Sequence, residues 1–252
     1  METKTSKPKI IGESMFRPLN KKRFSDQIAD LIQKKILEDS LEVGTNLPSE
    51  KAMADEFQVS RSVIREALRI LEISGLVNIK KGPTGGIFVS NVYHAPIKRS
   101  LDNLITCGEV TVDHLYDARL LIEPHIAGQA ALHAGDADLE KFRVLFEDSA
   151  AHFDDPVRLK QNNLEFHLLL ARASGNPALA VMLESVFELL VERTQSYVDL
   201  ALERKFFKIH KALFEVIKRR QAEEASRLVR EDIMDVMETL KKFNKHDEVG
   251  NT

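Results

Sequence analysis

At 252 residues, with 43% apolar and 30% charged side chains, the chain is long enough for two domains with cores of their own. Its single cysteine, Cys107, excludes an intramolecular disulfide and suits a reducing compartment, and no run of about 18 apolar residues marks a membrane span. The net charge of −3 is unevenly spread: residues 1–100 carry 17 Lys+Arg against 12 Asp+Glu, and residues 101–252 carry 19 against 27. An acidic chain is repelled by DNA as a whole, whereas a basic first third permits a local, salt-sensitive grip on phosphates.

Residues 1–17 are polar and aperiodic, lack the apolar core of a secretory signal, and are expected to form a tail. Ser25 is the expected cap of a first helix running to Asp39, with Ile28, Leu31, Ile32 and Ile36 on one face. Gly44 and Pro48 mark the turn after it. Ser49 caps a second helix over Glu50–Phe57, Gln58-Val59-Ser60 forms a tight turn, and Ser60 caps a third helix to about Ser74. On this third helix Val63, Ile64, Ala67, Leu68 and Leu71 face inward and leave Arg61, Ser62, Arg65 and Arg69 outside. Gly75 sits at the helix stop.

Residues 76–79 and 87–89 read as short strands joined by Lys80-Lys81-Gly82-Pro83-Thr84-Gly85-Gly86. A basic, glycine-rich hairpin tip allows close backbone approach to phosphate or the minor groove. It lacks the Gly-Lys-Ser/Thr ending of a nucleotide-binding loop. Two helices around a tight turn, followed by a hairpin, describe a helix-turn-helix with a wing over residues 18–90.

Residues 91–100, with Pro96 and few apolar side chains, are expected as a linker. Beyond them the pattern is helical throughout, over 101–106, 112–134, 137–153, 156–174, 178–201, 203–219 and 221–243, with breaks at Gly108, Gly135, Pro156, Gly175-Asn176-Pro177 and Arg220. Short connections and no strand alternation predict an all-α antiparallel bundle of six to seven helices over 101–243, with 244–252 a second tail. The fold class is thus mainly α. Cys107 is expected as a small buried or half-buried side chain, and His94, His133, His152 and His246 as surface or loop residues.

The segments PSEKAMADEFQVSRSVIREALRILEISGLV and GPTGGIFV resemble the winged helix-turn-helix of GntR-type bacterial regulators. LYDARLLIEPHIAGQAA and FHLLLARASGN resemble the FadR-type, or FCD, effector domain, so the likeness spans about residues 18–243. It implies a cytoplasmic, nucleoid-associated homodimer that binds double-stranded DNA at a palindromic operator and answers to a small effector. It also implies DNA contacts from Lys51, where relatives usually carry Arg, from Ser60, Arg61, Ser62 and Arg65 around the recognition helix, and from Lys81 and Gly82 at the wing. Two guanidinium forks one turn apart suit guanine edges or phosphates; an ion pair on a solvated face is the alternative for Arg65.

The resemblance further implies a divalent metal site in the bundle core, built from Asp, His four residues later, and one His on each of two later helices. Here His167 and His210 match, but Asn163 stands at the Asp position and Asp232 at the last His position. The carboxylate has moved from the first to the fourth position, leaving two imidazoles, one carboxylate and one amide oxygen. That set is compatible with Zn, Ni, Mn or Fe and does not choose among them. Arg119, at the family's Arg position, is expected to pair with a small carboxylate effector; a helix pair with Glu123 is its alternative. The expected function is a sequence-specific regulator, by family a repressor, rather than an enzyme. A metal-free pocket for an acyl-coenzyme A or lipid-like effector is the alternative. A metal-dependent hydrolase is a remote one, because Glu165 points away from the Asn163/His167 face and no general base joins the set.

Overall fold

The computed structural model describes residues 23–82, 85–193 and 198–249, with side chains to residue 239; the expected tail 1–17 and the first residues of the DNA-binding segment lie outside it. The described residues fall into two compact units, one of 23–72 and 76–90, the other of 73–75 and 91 onward.

In the first unit, α1 (Phe24–Glu38), α2 (Glu50–Phe57) and α3 (Arg61–Ile73) pack on a three-stranded sheet. Ser25 does not cap α1; it is buried inside the helix, and Arg23 stands at the cap without a side-chain bond. Ile28, Ile32 and Ile36 are buried as the period requires, but Leu31 is 54% exposed, one position off the stripe. Ser49 caps α2 by accepting from the Ala52 N–H at 3.2 Å, and Gln58 closes the helix in the left-handed region at φ 54°. That single residue reverses the chain into α3, whose Ile64, Ala67, Leu68 and Leu71 are at most 1% exposed. The Ser60 hydroxyl meets that of Ser62 at 2.7 Å, while its carbonyl accepts from Val63 and Ile64.

Strands β2 (Val77–Lys80) and β3 (Gly86–Val89) pair antiparallel as expected, Ile79 opposite Ile87. A two-residue β1 (Asn46–Leu47), not expected from sequence, pairs with the other side of β3, so the order is β1-β3-β2. Inward Val77, Ile87 and Val89 join the helical core.

The second unit is an all-helical bundle: α4 (His94–Thr106), α5 (Val112–His133), α6 (Asp136–Ala151), α7 (Pro156–Ala173), α8 (Pro177–Arg193), α9 (Leu200–Lys218) and α10 (Ala222–Val249). The expected linker 91–100 is therefore mostly helix, with Pro96 tolerated because it lies in the first turn, where an N–H has no intrahelical partner. Of the expected span 178–201, helix is described over Pro177–Arg193, and Asp199 starts α9 by accepting from Leu202 N–H at 2.7 Å. The last helix runs to Val249, through most of the expected tail. Cys107, expected inside, is exposed.

Phe142, Phe166, Leu170, Leu183, Leu213 and Ile233 are among the side chains that fill the bundle core. Gly128 lets α5 approach α10 closely: a Cβ there would stand 2.6 Å from the Ser226 hydroxyl oxygen. Among the described residues no helix is long and apolar enough to cross a membrane.

Candidate functional site

Among the described residues, each unit brings together the side chains that the sequence singles out. In the first, burial of the aliphatic side of α3 presents Arg61, Ser62, Arg65 and Arg69 outward, all exposed, as the period predicts. Lys51 is exposed on α2, and Lys81 and Gly82 are exposed at the hairpin tip. The Arg65 side chain is 67% exposed, and its Nε donates to Glu50 at 2.8 Å. The partner of this pair lies on α2 and was not foreseen, since it is 15 positions away. The Arg61 side chain makes no hydrogen bond or ion pair among the described residues. An exposed pair of this kind is worth less than about 1 kcal/mol, so a phosphate or guanine edge can displace Glu50 at small cost. Wing residue Lys80 lies over the Phe88 ring at 5.2 Å.

In the second unit, a cavity of about 80 Å³ opens among α5, α7, α8, α9 and α10. Arg119, Asn163, His167 and Asp232 line it, together with Glu203 and Lys160. His210 packs beside them, its ring stacked on Phe166 at 4.1 Å between centroids and set edge-on to His167 at 4.8 Å. One ligand atom from each of His167, His210 and Asp232 can be chosen so that all three lie within 4.8 Å of one another.

The donors are prepared for a cation. Glu123, wholly buried, accepts from Arg119 Nε at 2.8 Å and from His167 Nδ1. With Nδ1–H held by the carboxylate, the lone pair of His167 is on Nε2, the tautomer a metal ligand needs. Burial holds the His167 pKa below its ordinary value, against the pull of Glu123, so the ring is neutral and able to coordinate. Burial would raise Glu123, but chiefly Arg119, with the bond from His167, holds it at about 2. Asp232 also stays below its ordinary value, because the facing His210 outweighs burial. His210 Nε2 and Asp232 Oδ1 are buried without a hydrogen-bond partner, 3.6 Å separating Nε2 from the other carboxylate oxygen. Orphaned buried donors and acceptors are costly, and a coordinated cation removes that cost for both. The residues present therefore fit a divalent metal.

The expected effector residue Arg119 is inside the site, 4% exposed, its guanidinium 4.3 Å over the Phe187 ring. Its helix pair with Glu123 is formed, yet only Nε is engaged there. Asn163 lines the cavity and donates from Nδ2 to Glu203 at 3.4 Å. The sequence offered Glu123 only as a helix partner for Arg119, through their spacing of four, and gave no sign of Glu203 or Phe187. His94, expected on the surface, is a half-buried residue at the start of α4, 3.3 Å from Glu184 and 3.1 Å from Glu188.

Comparison with known proteins agrees with both units. Residues 24–89 match the family model described as bacterial regulatory proteins, gntR family, and residues 114–235 match the FCD domain. A protein of Escherichia coli (strain K12), assigned by name to regulation of the L-lactate dehydrogenase operon, is 29% identical over 233 residues, covering 89% of each chain. The HTH-type transcriptional repressor NanR of Escherichia coli is 25% identical over 259 residues, covering 97% of this chain and 94% of its own. The solved structure of Streptococcus agalactiae GntR superposes with a TM-score of 0.63 at 29% identity, over 84% of this chain and 98% of that one. The chain belongs to the GntR family of bacterial regulatory proteins, as a transcriptional regulator whose second domain is an FCD domain.

Proposed function

We propose that the protein is a homodimeric, DNA-binding repressor of the bacterial cytoplasm, controlled by a small carboxylate held beside a divalent metal in the FCD cavity. The observation that carries this reading is the pair of orphaned buried groups, His210 Nε2 and Asp232 Oδ1, in the same core as His167 and Arg119. His167, His210 and Asp232, with Asn163 as a fourth donor, hold the metal. When bound, the metal supplies Lewis-acid coordination for a carboxylate oxygen. Arg119 supplies the second anchor from α5, with Phe187 and Tyr116 as its apolar bed. A cavity of about 80 Å³ favours a small acid over an acyl-coenzyme A or lipid. The relative named a repressor supports repression, and the one named for the L-lactate dehydrogenase operon supports control of small-acid metabolism.

At the DNA, Arg61 and Arg65 read the major groove, Lys51 and the Ser60 and Ser62 hydroxyls grip the backbone, and Lys81 and Gly82 place the wing tip against the duplex. Two copies related by two-fold symmetry require a palindromic operator. The effector alters DNA affinity only by the difference in its own affinity for the two arrangements of the dimer.

The test is selection of duplexes from a random pool, followed by fluorescence anisotropy with and without Zn²⁺ and a panel of small carboxylates. Expected are a two-fold consensus, affinity falling steeply with salt, and release by one chemical class of acid in the presence of metal only. Sequence-indifferent binding, or stoichiometric protein without metal uptake by titration, would overturn the corresponding half of the proposal.

A further inference from the structure

Among the described residues three carboxylates are buried: Glu123, Asp232 and Glu203. Glu123 is engaged by Arg119 and His167, and Asp232 faces His210. Glu203 makes no ion pair of either kind among the described residues, although Lys160 and His210 act on it electrostatically. It lies in the first turn of α9, 5% exposed, and among the described residues its side chain accepts one hydrogen bond, the 3.4 Å contact from Asn163 Nδ2. A carboxylate has about four lone-pair sites, so most of its accepting capacity is unused. Among the described residues the buried side-chain atoms without a partner are on His210 and Asp232 rather than on Glu203, so the unused capacity of Glu203 is open to a donor that enters the cavity.

Glu203 is on the wall of the same cavity as Arg119, and the two come from different helices, α9 and α5. Lys160 on α7 offsets part of its charge electrostatically, while burial pushes the Glu203 pKa up. Whether charged or neutral, the group remains an acceptor on the cavity wall.

Resting on the small-carboxylate reading above, we infer that Glu203 is a specificity-determining residue: its carboxyl group receives a hydroxyl or ammonium donor carried by the effector. The pocket then selects small carboxylates bearing such a donor over plain alkyl carboxylates. Arg119 and the metal hold the anionic end, which every acid shares. Glu203 reads what distinguishes them, since a polar site rejects an analogue that leaves its buried group unpaired.

The test uses full-length protein loaded with Zn²⁺ and three probes of equal chain length: propionate, 3-hydroxypropionate and β-alanine. Affinities are measured by calorimetry on wild type, Glu203→Gln and Glu203→Leu. The expected result is that both donor-bearing acids bind wild type about tenfold or more tighter than propionate. Glu203→Leu removes both advantages over propionate; Glu203→Gln removes the advantage of β-alanine more than that of 3-hydroxypropionate, since an amide oxygen still accepts from a hydroxyl. Equal binding of all three to wild type, or an undiminished preference in Glu203→Leu, overturns the inference while the carboxylate pocket stands. If none of the three binds or raises the melting point, the carboxylate reading fails first and the inference with it. Should the Leu variant not fold, the wild-type ranking and the Gln variant decide.

Discussion

Glu123 makes the sharpest demand on the bundle. It is 0% exposed and accepts from Arg119, itself 4% exposed, and from His167, 2% exposed. Replacing it by Leu leaves the Arg119 guanidinium buried without an anion, a loss of about 3–5 kcal/mol rather than the fraction of a kcal/mol typical of an exposed pair. Glu123→Gln keeps the size and one acceptor oxygen but removes the charge, and should fall between the two. The double variant Arg119→Leu/Glu123→Leu removes both charges and should recover most of the loss, because most of it is the penalty on the abandoned partner. Urea unfolding followed by far-ultraviolet circular dichroism measures this, with the midpoint compared at constant slope. A second readout separates structure from site. Losing the Nδ1–H acceptor lets the His167 ring turn and change tautomer, so metal affinity should fall about 10–100-fold in Glu123→Leu. If Glu123→Leu unfolds within about 0.5 kcal/mol of wild type, the charge is not buried as described. If stability falls while metal affinity holds, Glu123 does not orient the ligand.

Three further expectations concern other parts of the molecule. Arg61→Ala and Arg65→Ala should each cost about 1–3 kcal/mol in operator binding and relax base preference, whereas Lys81→Ala should weaken all sequences alike and reduce the salt slope by about 1; a salt slope unchanged in all three variants would remove the proposed interface. Gly75→Ala should destabilise by more than about 1 kcal/mol, since the residue has φ +78° and a Cβ there would stand 2.3 Å from the Val92 carbonyl oxygen; an unchanged melting point would contradict that backbone. Asp148 is held at about 2 by hydrogen bonds from Arg158 and Asn162. A depressed carboxylate contributes stability that is full above its ordinary pKa of about 4 and is lost as pH falls from there through about 2. Solvent screening keeps this below about 1 kcal/mol. Asp148→Asn should therefore flatten the melting-temperature profile in that acid window, and superimposable profiles would refute the assignment.

What could be read from the chain and what could not divides along one physical line. Ile64, Ala67, Leu68 and Leu71 recur at helical spacing because one face of α3 is buried, so the same spacing that hides them announces that Arg61 and Arg65 are outside. Ser49 was legible because a cap acts within three residues. The first half of α4 was not, although 101–106 was read as helix: α4 buries no residue completely and carries no apolar stripe, and Pro96 suggested a break that a first-turn position does not cause. β1 is two residues long, too short for alternation to register.

The site follows the same division. Resemblance located His167 and His210, and the Arg119–Glu123 pair lies one turn apart on a single helix. The bond from His167 to Glu123 spans 44 positions, and that from Asn163 to Glu203 spans 40. Nothing local distinguishes Glu203 from the acidic residues that favour the first turn of many helices for their interaction with its dipole. Its burial comes from the way α9 packs across α7, which no window of sequence contains. The groups proposed to hold a metal are thus nearly recoverable from motif, while the residue proposed to choose the ligand is a product of packing alone. A regulator can therefore change its effector by altering such wall positions while its motif stays intact, which is why the effector has to be sought in Glu203 and its neighbours rather than in the His pair.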